Sequence, residues 1–289
     1  MSDFEVLRPR SIEEAVAQLA TYGEDGRPLA GGTALALLVK QRLVQPTALV
    51  SLAEIPELVG VRREADGLHI GAMTRHAAIE RLAGEDGVPA LLVETYRRVA
   101  TRRIRNQATV GGGLAHGDPA QDPPAALLAL DAIARVVGPA GERTIPLDQF
   151  FVDYYETALR PGEILTEVIV PPQPARSAGV YLKFLPRTVD DYATIAVAVR
   201  LSLAGRTLAD VRVALIAAGS IPMRARAVEQ LLEGEVPRHG LLHEAGDLAK
   251  SIVDPLDDVR GSADYKREMA AVFVHRAIEA AVERARAEA

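Results

Sequence analysis

The chain has 289 residues, 48% of them hydrophobic and 25% charged, with a net charge of −6 and no cysteine. That length exceeds one comfortable core and makes two domains the expectation, within the composition of an ordinary water-soluble globular protein. The negative charge gives no electrostatic footing to nucleic acid or an anionic membrane, and the missing thiols exclude disulfides, cysteine-ligated zinc and iron–sulfur clusters on this chain.

The acidic start Met1-Ser2-Asp3-Phe4-Glu5 lacks the apolar stretch of a secretory signal, and no later apolar run approaches the ~20 residues of a bilayer span, so a cytoplasmic protein is expected. Ser11-Ile12-Glu13-Glu14 reads as a capping box, in which Ser11 and Glu14 satisfy each other's backbone donors. Ile12, Val16 and Leu19 then give a helix one apolar face. Pro28 to Ala30 reads as a short strand, Leu35, Leu37 and Leu38 open a helix that ends before Pro46, and Leu49 to Leu52 reads as a buried strand. Val59 to Arg63 and Leu68 to Gly71 flank Asp66-Gly67 as a hairpin, after which Thr74 is expected to cap a helix. Pro89 to Ala100 and Pro123 to Leu130 read as helices, the second with proline in its first turn. Ile133 to Val137, Arg143 to Ile145 and Thr166 to Val170 read as strands.

Pro171-Pro172-Gln173-Pro174 is the strongest break in the chain. It divides an expected first domain, 1–172 with subdomains of about 1–55 and 56–172, from a second at 175–289. Val180 to Leu185, Thr194 to Leu203 and Leu208 to Ala217 then read as strands, the last two joined through Gly205-Arg206. Helices over Ala225 to Leu232, Leu241 to Ser251 and Ala263 to Ala287 close the chain.

Two glycine clusters carry the chemistry: Ala30-Gly31-Gly32-Thr33 and Thr109-Val110-Gly111-Gly112-Gly113. Without a Cβ the backbone N–H groups can converge on an anion, and a helix starting after each loop adds partial positive charge. Together they suggest one ligand whose two phosphates are gripped from two sides, although each alone also fits an ordinary turn or helix start. Neither is Gly-x-Gly-x-x-Gly, and no Gly-Lys-Ser/Thr follows, which excludes the Rossmann fingerprint and the P-loop. Asp118-Pro119-Ala120-Gln121-Asp122-Pro123-Pro124 is either a turn and helix start or the seat of a carboxylate. Asp122 would repel phosphate and is better suited to sugar or ribityl hydroxyls. Asp190-Asp191-Tyr192-Ala193 enters an apolar strand, and with 4% aromatic residues Tyr192 is one of few rings available to pack on a cofactor. No Ser-His-Asp or Cys-His set supports a hydrolase. Of six histidines only His239 and His243 share a helical spacing, and Gly240 with nearby Pro237 weighs against a metal site, so none is expected. Redox chemistry on this chain would therefore need an organic cofactor.

Taken in order, these segments resemble the FAD-binding medium subunit of the molybdenum hydroxylases, the family of carbon monoxide, xanthine, aldehyde and nicotine dehydrogenases. The likeness runs through Ala30 to Thr33, Thr109 to Ala132, Phe150-Phe151, Tyr155 to Leu159 and Pro161 to Glu167. It continues in Tyr181-Leu182-Lys183-Phe184, Asp191-Tyr192-Ala193 and Asp254 to Tyr265, nearly the whole chain. The resemblance implies an α+β protein: a vanillyl-alcohol-oxidase (PCMH)-type FAD-binding fold of two α/β subdomains, then a C-terminal domain with a small antiparallel sheet and a helical bundle. It implies FAD as cofactor. Leu29, Ala30, Gly31, Gly32, Thr33 and Ala34, with Thr109, Val110, Gly111, Gly112 and Gly113, would line the phosphates. Asp122 would reach cofactor hydroxyls, Ile164 and Leu165 would flank the adenine, and Lys183 and Tyr192 would lie near the isoalloxazine.

The implied partners are a large molybdopterin-containing subunit and a small 2Fe–2S subunit, whose electrons would pass through FAD to an external acceptor. No residue need be a catalytic acid or base. The chain departs from the family pattern at Ala34, often polar, at Gly113, usually Asn or Ser, and at Leu185-Pro186-Arg187-Thr188, which keeps one of two arginines. Backbone contacts survive such changes; side-chain contacts do not. Those departures keep two alternatives open: a free-standing FAD-dependent oxidoreductase using Tyr192, Arg187 or Lys183 directly, and a non-catalytic scaffold that has lost FAD.

Overall fold

A computed structural model of the chain describes residues 4–186, Thr188 and residues 192–287; Arg187, Asp190 and Asp191 lie outside the described residues. The first unit is built on the capping box. Ser11 Oγ accepts the Glu14 N–H at 3.1 Å, while the Glu14 carboxylate reaches back to the Arg10 N–H at 2.8 Å, one residue earlier than the reciprocal pairing expected. The helix it starts, α1 (Ile12–Tyr22), buries Ala15, Val16 and Leu19. It packs on a three-stranded parallel sheet of β1 (Glu5–Leu7), β2 (Gly26–Leu29) and β3 (Ala48–Ser51), ordered β1-β3-β2. The parallel step from β2 to β3 needs a crossover, supplied by the short α2 (Leu35–Lys40).

The second unit is a five-stranded antiparallel sheet: β4 (Val61–Glu64), β5 (Gly67–Gly71), β6 (Ile133–Gly138) and β7 (Gly141–Pro146), joined after a small ribbon of β8 (Phe151–Asp153) and β9 (Glu156–Thr157) by β10 (Ile164–Val170). The last strand enters the middle, in the order β4-β5-β10-β6-β7, and all its residues are buried. Between β5 and β6 come α3 (His76–Glu80), α4 (Ala90–Arg97), α5 (Arg102–Arg105), α6 (Val110–His116) and α7 (Asp122–Ala129). Thr74 does not cap α3, whose N-cap is Arg75. Its buried hydroxyl faces the other way, accepting the Gly60 N–H and donating to the Gly60 carbonyl, both at 2.9 Å, and so pins the segment before β4.

The third unit is an antiparallel meander of β11 (Ala178–Phe184), β12 (Ile195–Ala204), β13 (Thr207–Ile216) and β14 (Met223–Arg224), followed by α8 (Arg226–Leu232), α9 (His239–Ile252) and α10 (Ala263–Ala287). Alternation along the strands sorts side chains by size. Val197, Val199, Leu201, Val213 and Leu215 share a core with α8, α9 and α10, whereas Ala196, Ala198 and Ala214 join the core of the second unit. Small side chains on that face let α4 and α7 lie close to the sheet, and a Cβ on Gly179 of β11 would stand 2.7 Å from Leu91 Cβ. At the junction Asp131, in a left-handed conformation (φ 54°), accepts Arg200 at 3.1 Å, Arg212 at 2.9 Å and Arg224 at 2.7 Å, one arginine from each of β12, β13 and β14. Among the described residues no helix is long and apolar enough to cross a membrane.

Candidate functional site

The two glycine clusters meet. A Cβ on Gly31 would lie 2.3 Å from the Gln107 carbonyl oxygen, and one on Gly112 would lie 2.9 Å from Ala30 Cβ. Gln107 closes the seam by donating from Nε2 to the Gly31 carbonyl at 3.1 Å. At these distances neither position admits a Cβ unless the chain shifts.

Their donors differ. Gly32 turns the first loop with φ 72°, and the N–H groups of Gly31, Gly32, Thr33 and Ala34 have no acceptor among the described residues. A run of free N–H groups in a turn is a concave seat for an anion. In the second cluster the donors from Val110 to Gly113 are all engaged. Val110 donates to Thr74 O at 2.9 Å, Gly111 to Ala72 O at 2.8 Å, Gly112 to Thr109 Oγ1 at 3.2 Å and Gly113 to Thr109 O at 3.0 Å. The three glycines form the first turn of α6, capped by Thr109, rather than a loop ahead of it. The free donors therefore lie in the first cluster, with the glycines of the second packed against it.

His76 lies beside those glycines. It is buried, with Nε2 donating to the Thr109 carbonyl at 3.1 Å and its ring edge-on to Tyr96. Burial, helped by the Arg105 charge and opposed by the Thr109 hydrogen bond, lowers its pKa to about 4. A histidine whose folded pKa lies below its unfolded value of ~6.5 contributes stability that is present above that value and is lost as pH falls towards the folded one. Urea unfolding is expected to shift to lower midpoints between pH 6.5 and 4, by about 3 kcal/mol at the acid end. His76→Gln should flatten that window; an unchanged slope in the variant counts against His76 as the cause.

Asp122 and Lys183 are brought together, from α7 and β11. Lys183 Nζ stands 3.0 Å from Asp122 Oδ2 and 3.2 Å from the Arg98 carbonyl, while the Tyr181 hydroxyl donates to Asp122 Oδ1. Both charged side chains are at least 94% buried. Burial pushes the Asp122 carboxyl up from its ordinary value, against the Lys183 charge and the Tyr181 hydrogen bond. Tyr181 was not among the expected site residues, and no local signal marks it: its role arises from a contact between β11 and α7.

Ile164 and Leu165 occupy adjacent places on β10 and point to opposite faces. Ile164 packs in the core of the first unit, against which Ala30 also lies, and Leu165 in the core of the second. Only Ile164 therefore shares a core with Ala30 of the first glycine cluster. Tyr192 sits at the entry to β12, 43% exposed, with the Arg260 guanidinium 5.5 Å from its ring centre. Burial, with the charge and hydrogen bonding of Asp118, pushes its hydroxyl above its ordinary value. Tyr155 is raised by the same two influences, and its ring contacts His116 at 5.2 Å. Asp118, itself buried, thus gathers two tyrosines at the end of α6. The sequence marked Tyr192 but gave no role to Asp118, His116 or Tyr155, which meet it only through contacts between separate segments.

Residues 2–173 match the family described as FAD binding domain in molybdopterin dehydrogenase, and residues 180–281 match CO dehydrogenase flavoprotein C-terminal domain. The carbon monoxide dehydrogenase medium chain of Afipia carboxidovorans is 39% identical over 98% of both chains. The nicotine 6-hydroxylase medium subunit of Paenarthrobacter nicotinovorans is 33% identical, over 93% of this chain and 94% of that one. Among solved structures, carbon monoxide dehydrogenase from Hydrogenophaga pseudoflava superposes with a TM-score of 0.94 at 38% identity, covering 98% of each chain. Quinoline 2-oxidoreductase from Pseudomonas putida 86 gives 0.89 at 30% identity, covering 97% of each.

Proposed function

Because the chain belongs to the molybdopterin-dehydrogenase flavoprotein family, an FAD-binding domain followed by the CO dehydrogenase flavoprotein C-terminal domain, we propose that it is the electron-transfer subunit of a molybdenum hydroxylase-type complex. Electrons enter from a small 2Fe–2S subunit, after oxidation of substrate on a large molybdopterin-containing subunit, and leave from reduced FAD to an external acceptor. The observation that carries this reading is the run of free N–H groups from Gly31 to Ala34, seated on the second glycine cluster by contacts that leave no room for a Cβ.

The residues present fit FAD. Four consecutive free donors suit a pyrophosphate, and because they belong to the backbone, alanine at position 34 removes none of them. Gly113, likewise, offers no side-chain donor, and a Cβ there would already stand 3.0 Å from Gln121 Oε1. When bound, FAD supplies the redox chemistry, accepting electrons singly and passing them on. The protein's part is to bind and orient. Gly31 to Ala34 hold the phosphates, with Leu29 and Ile164 close by and Thr109 to Gly113 packed against them. Asp122, fixed by Lys183 and Tyr181, keeps lone pairs for a cofactor hydroxyl. Tyr192, with its ring half-exposed, offers a face to the isoalloxazine. No side chain need take up or give a proton from substrate.

Offered FAD and passed through gel filtration, the purified chain is expected to carry flavin absorbance at one FAD per chain, and small-molecule reduction of that flavin to require the partner subunits. A colourless chain overturns the reading. Reduction by a small substrate with no partner present would favour the free-standing oxidoreductase instead.

A further inference from the structure

His239 and His243 occupy successive turns of α9, and α10 brings a third imidazole, His275, against both. Ring centres are 5.3 Å apart for His239 and His275, 6.1 Å for His243 and His275, and 6.4 Å for His239 and His243. Three imidazoles on one tetrahedral ion, with metal–nitrogen distances of about 2.0–2.1 Å, have ring centres roughly 5 Å apart. One pair already stands at that spacing, and the other two would have to close by about 1 Å, within reach of small side-chain rotations.

The ring nitrogens are available. His243 Nδ1 lies 3.3 Å from Asp247 Oδ2; an ionised carboxylate can only accept, so Nδ1 donates and Nε2 keeps its lone pair. A carboxylate holding the far nitrogen is the arrangement that orients a metal-binding histidine. The rings of His239 and His275 make no hydrogen bond within the described residues. The helices beneath are held rigidly: a Cβ on Gly246 of α9 would stand 2.6 Å from the Ala271 carbonyl of α10. Glu64, Asp66 and His69 bring their ligand atoms closer together than the three imidazoles now stand, but that group is differently occupied. His69 meets Glu167 at Nδ1 (2.9 Å) and Asp66 at Nε2 (2.8 Å), so both nitrogens donate and neither has a lone pair for a metal.

We propose that His239, His243 and His275 form a binding site for one borderline transition-metal ion, of which Zn²⁺ is the type and Ni²⁺ and Cu²⁺ are the close competitors, with water in the fourth position. The ion ties α9 to α10 on the outer face of the C-terminal domain, away from the glycine cradle. This departs from the expectation drawn from His239 and His243 alone, because the third ligand lies on another helix and the sequence cannot pair it with them. Pro237 precedes α9, and Gly240 is accommodated within it.

The test is calorimetric titration of the tag-free, chelator-stripped full chain with Zn²⁺ and with Ni²⁺ alone, alongside thermal unfolding. Saturation at one ion per chain is expected, with a rise in Tm. His275→Ala should abolish stoichiometric binding, and Asp247→Asn should weaken it roughly tenfold, while both variants keep the wild-type far-ultraviolet circular dichroism. Asp66→Asn should leave binding unchanged. Absence of saturable binding, binding that survives His275→Ala, or binding lost in Asp66→Asn overturns the proposal.

Discussion

Alanine at position 31 is expected to strip the chain of FAD. The new Cβ would stand 2.3 Å from the Gln107 carbonyl oxygen and 3.0 Å from Ala108 Cα, both backbone atoms. Neither can swing aside. Gln107 is held by its N–H on the Ile104 carbonyl at 2.9 Å, and its side chain grips the Gly31 carbonyl itself. The loop must lift instead, and the free donors from Gly31 to Ala34 lift with it. Overpacking of this kind costs about 1–3 kcal/mol of folding stability. The larger loss falls on the cofactor: hydrogen bonds to a charged group are worth about 1.5–3 kcal/mol each, so misplacing two lowers affinity roughly a hundredfold or more. Gly32→Ala separates strain from collision. Gly32 has φ 72°, but its Cβ would meet only the flexible Leu29 side chain at 3.3 Å, so backbone strain of about 1–2 kcal/mol should leave measurable FAD binding. Flavin per chain after gel filtration, read beside circular dichroism, distinguishes the two. Wild-type flavin content in Gly31→Ala would mean that these donors do not hold the cofactor.

Breaking the Asp122–Lys183 pair should be the most costly single change to folding. Removing either partner strands the other charge in a site where both side chains are at least 94% buried, at a cost of about 3–5 kcal/mol. Asp122→Ala leaves the Lys183 ammonium with the Arg98 carbonyl and deprives the Tyr181 hydroxyl of its acceptor. Lys183→Met leaves a carboxylate already pushed towards its neutral form by burial. The double variant should recover part of the loss, with a coupling of about 1–3 kcal/mol from urea denaturation of all four proteins. Additive losses would show that the two charges do not stabilise each other.

What the sequence revealed was what is local. The capping box at Ser11, the Asp66-Gly67 hairpin and the alternation through β12 and β13 each depend on neighbours a few residues apart. The glycine clusters stood out for the same reason. Their mutual contact did not, nor did the placing of three glycines inside α6, since glycine is a poor helix former. That turn survives because Thr109 caps it and because Thr74 and Ala72 take its first donors, tertiary contacts that no periodicity announces. Thr74 misled because a hydroxyl before a helix ordinarily caps it, whereas here the backbone of Gly60 competes for it. The pairing of Asp122 with Lys183 joins a helix of the second unit to a strand of the third, and the gathering of Tyr155 and Tyr192 about Asp118 joins three separate segments.

The alanine face of the third sheet bears on how the protein comes into being. Synthesis from the N-terminus delivers α4 and α7 well before β12 and β13 exist to cover them, and Asp131 before any of its three arginines. Until those strands arrive, the nascent chain carries an open apolar surface of the kind that invites chaperones or aggregation. One core continues across the proline-rich segment at 171–174 to Tyr181, Ala196, Ala198 and Ala214. The last third of the chain seals the core of the middle third.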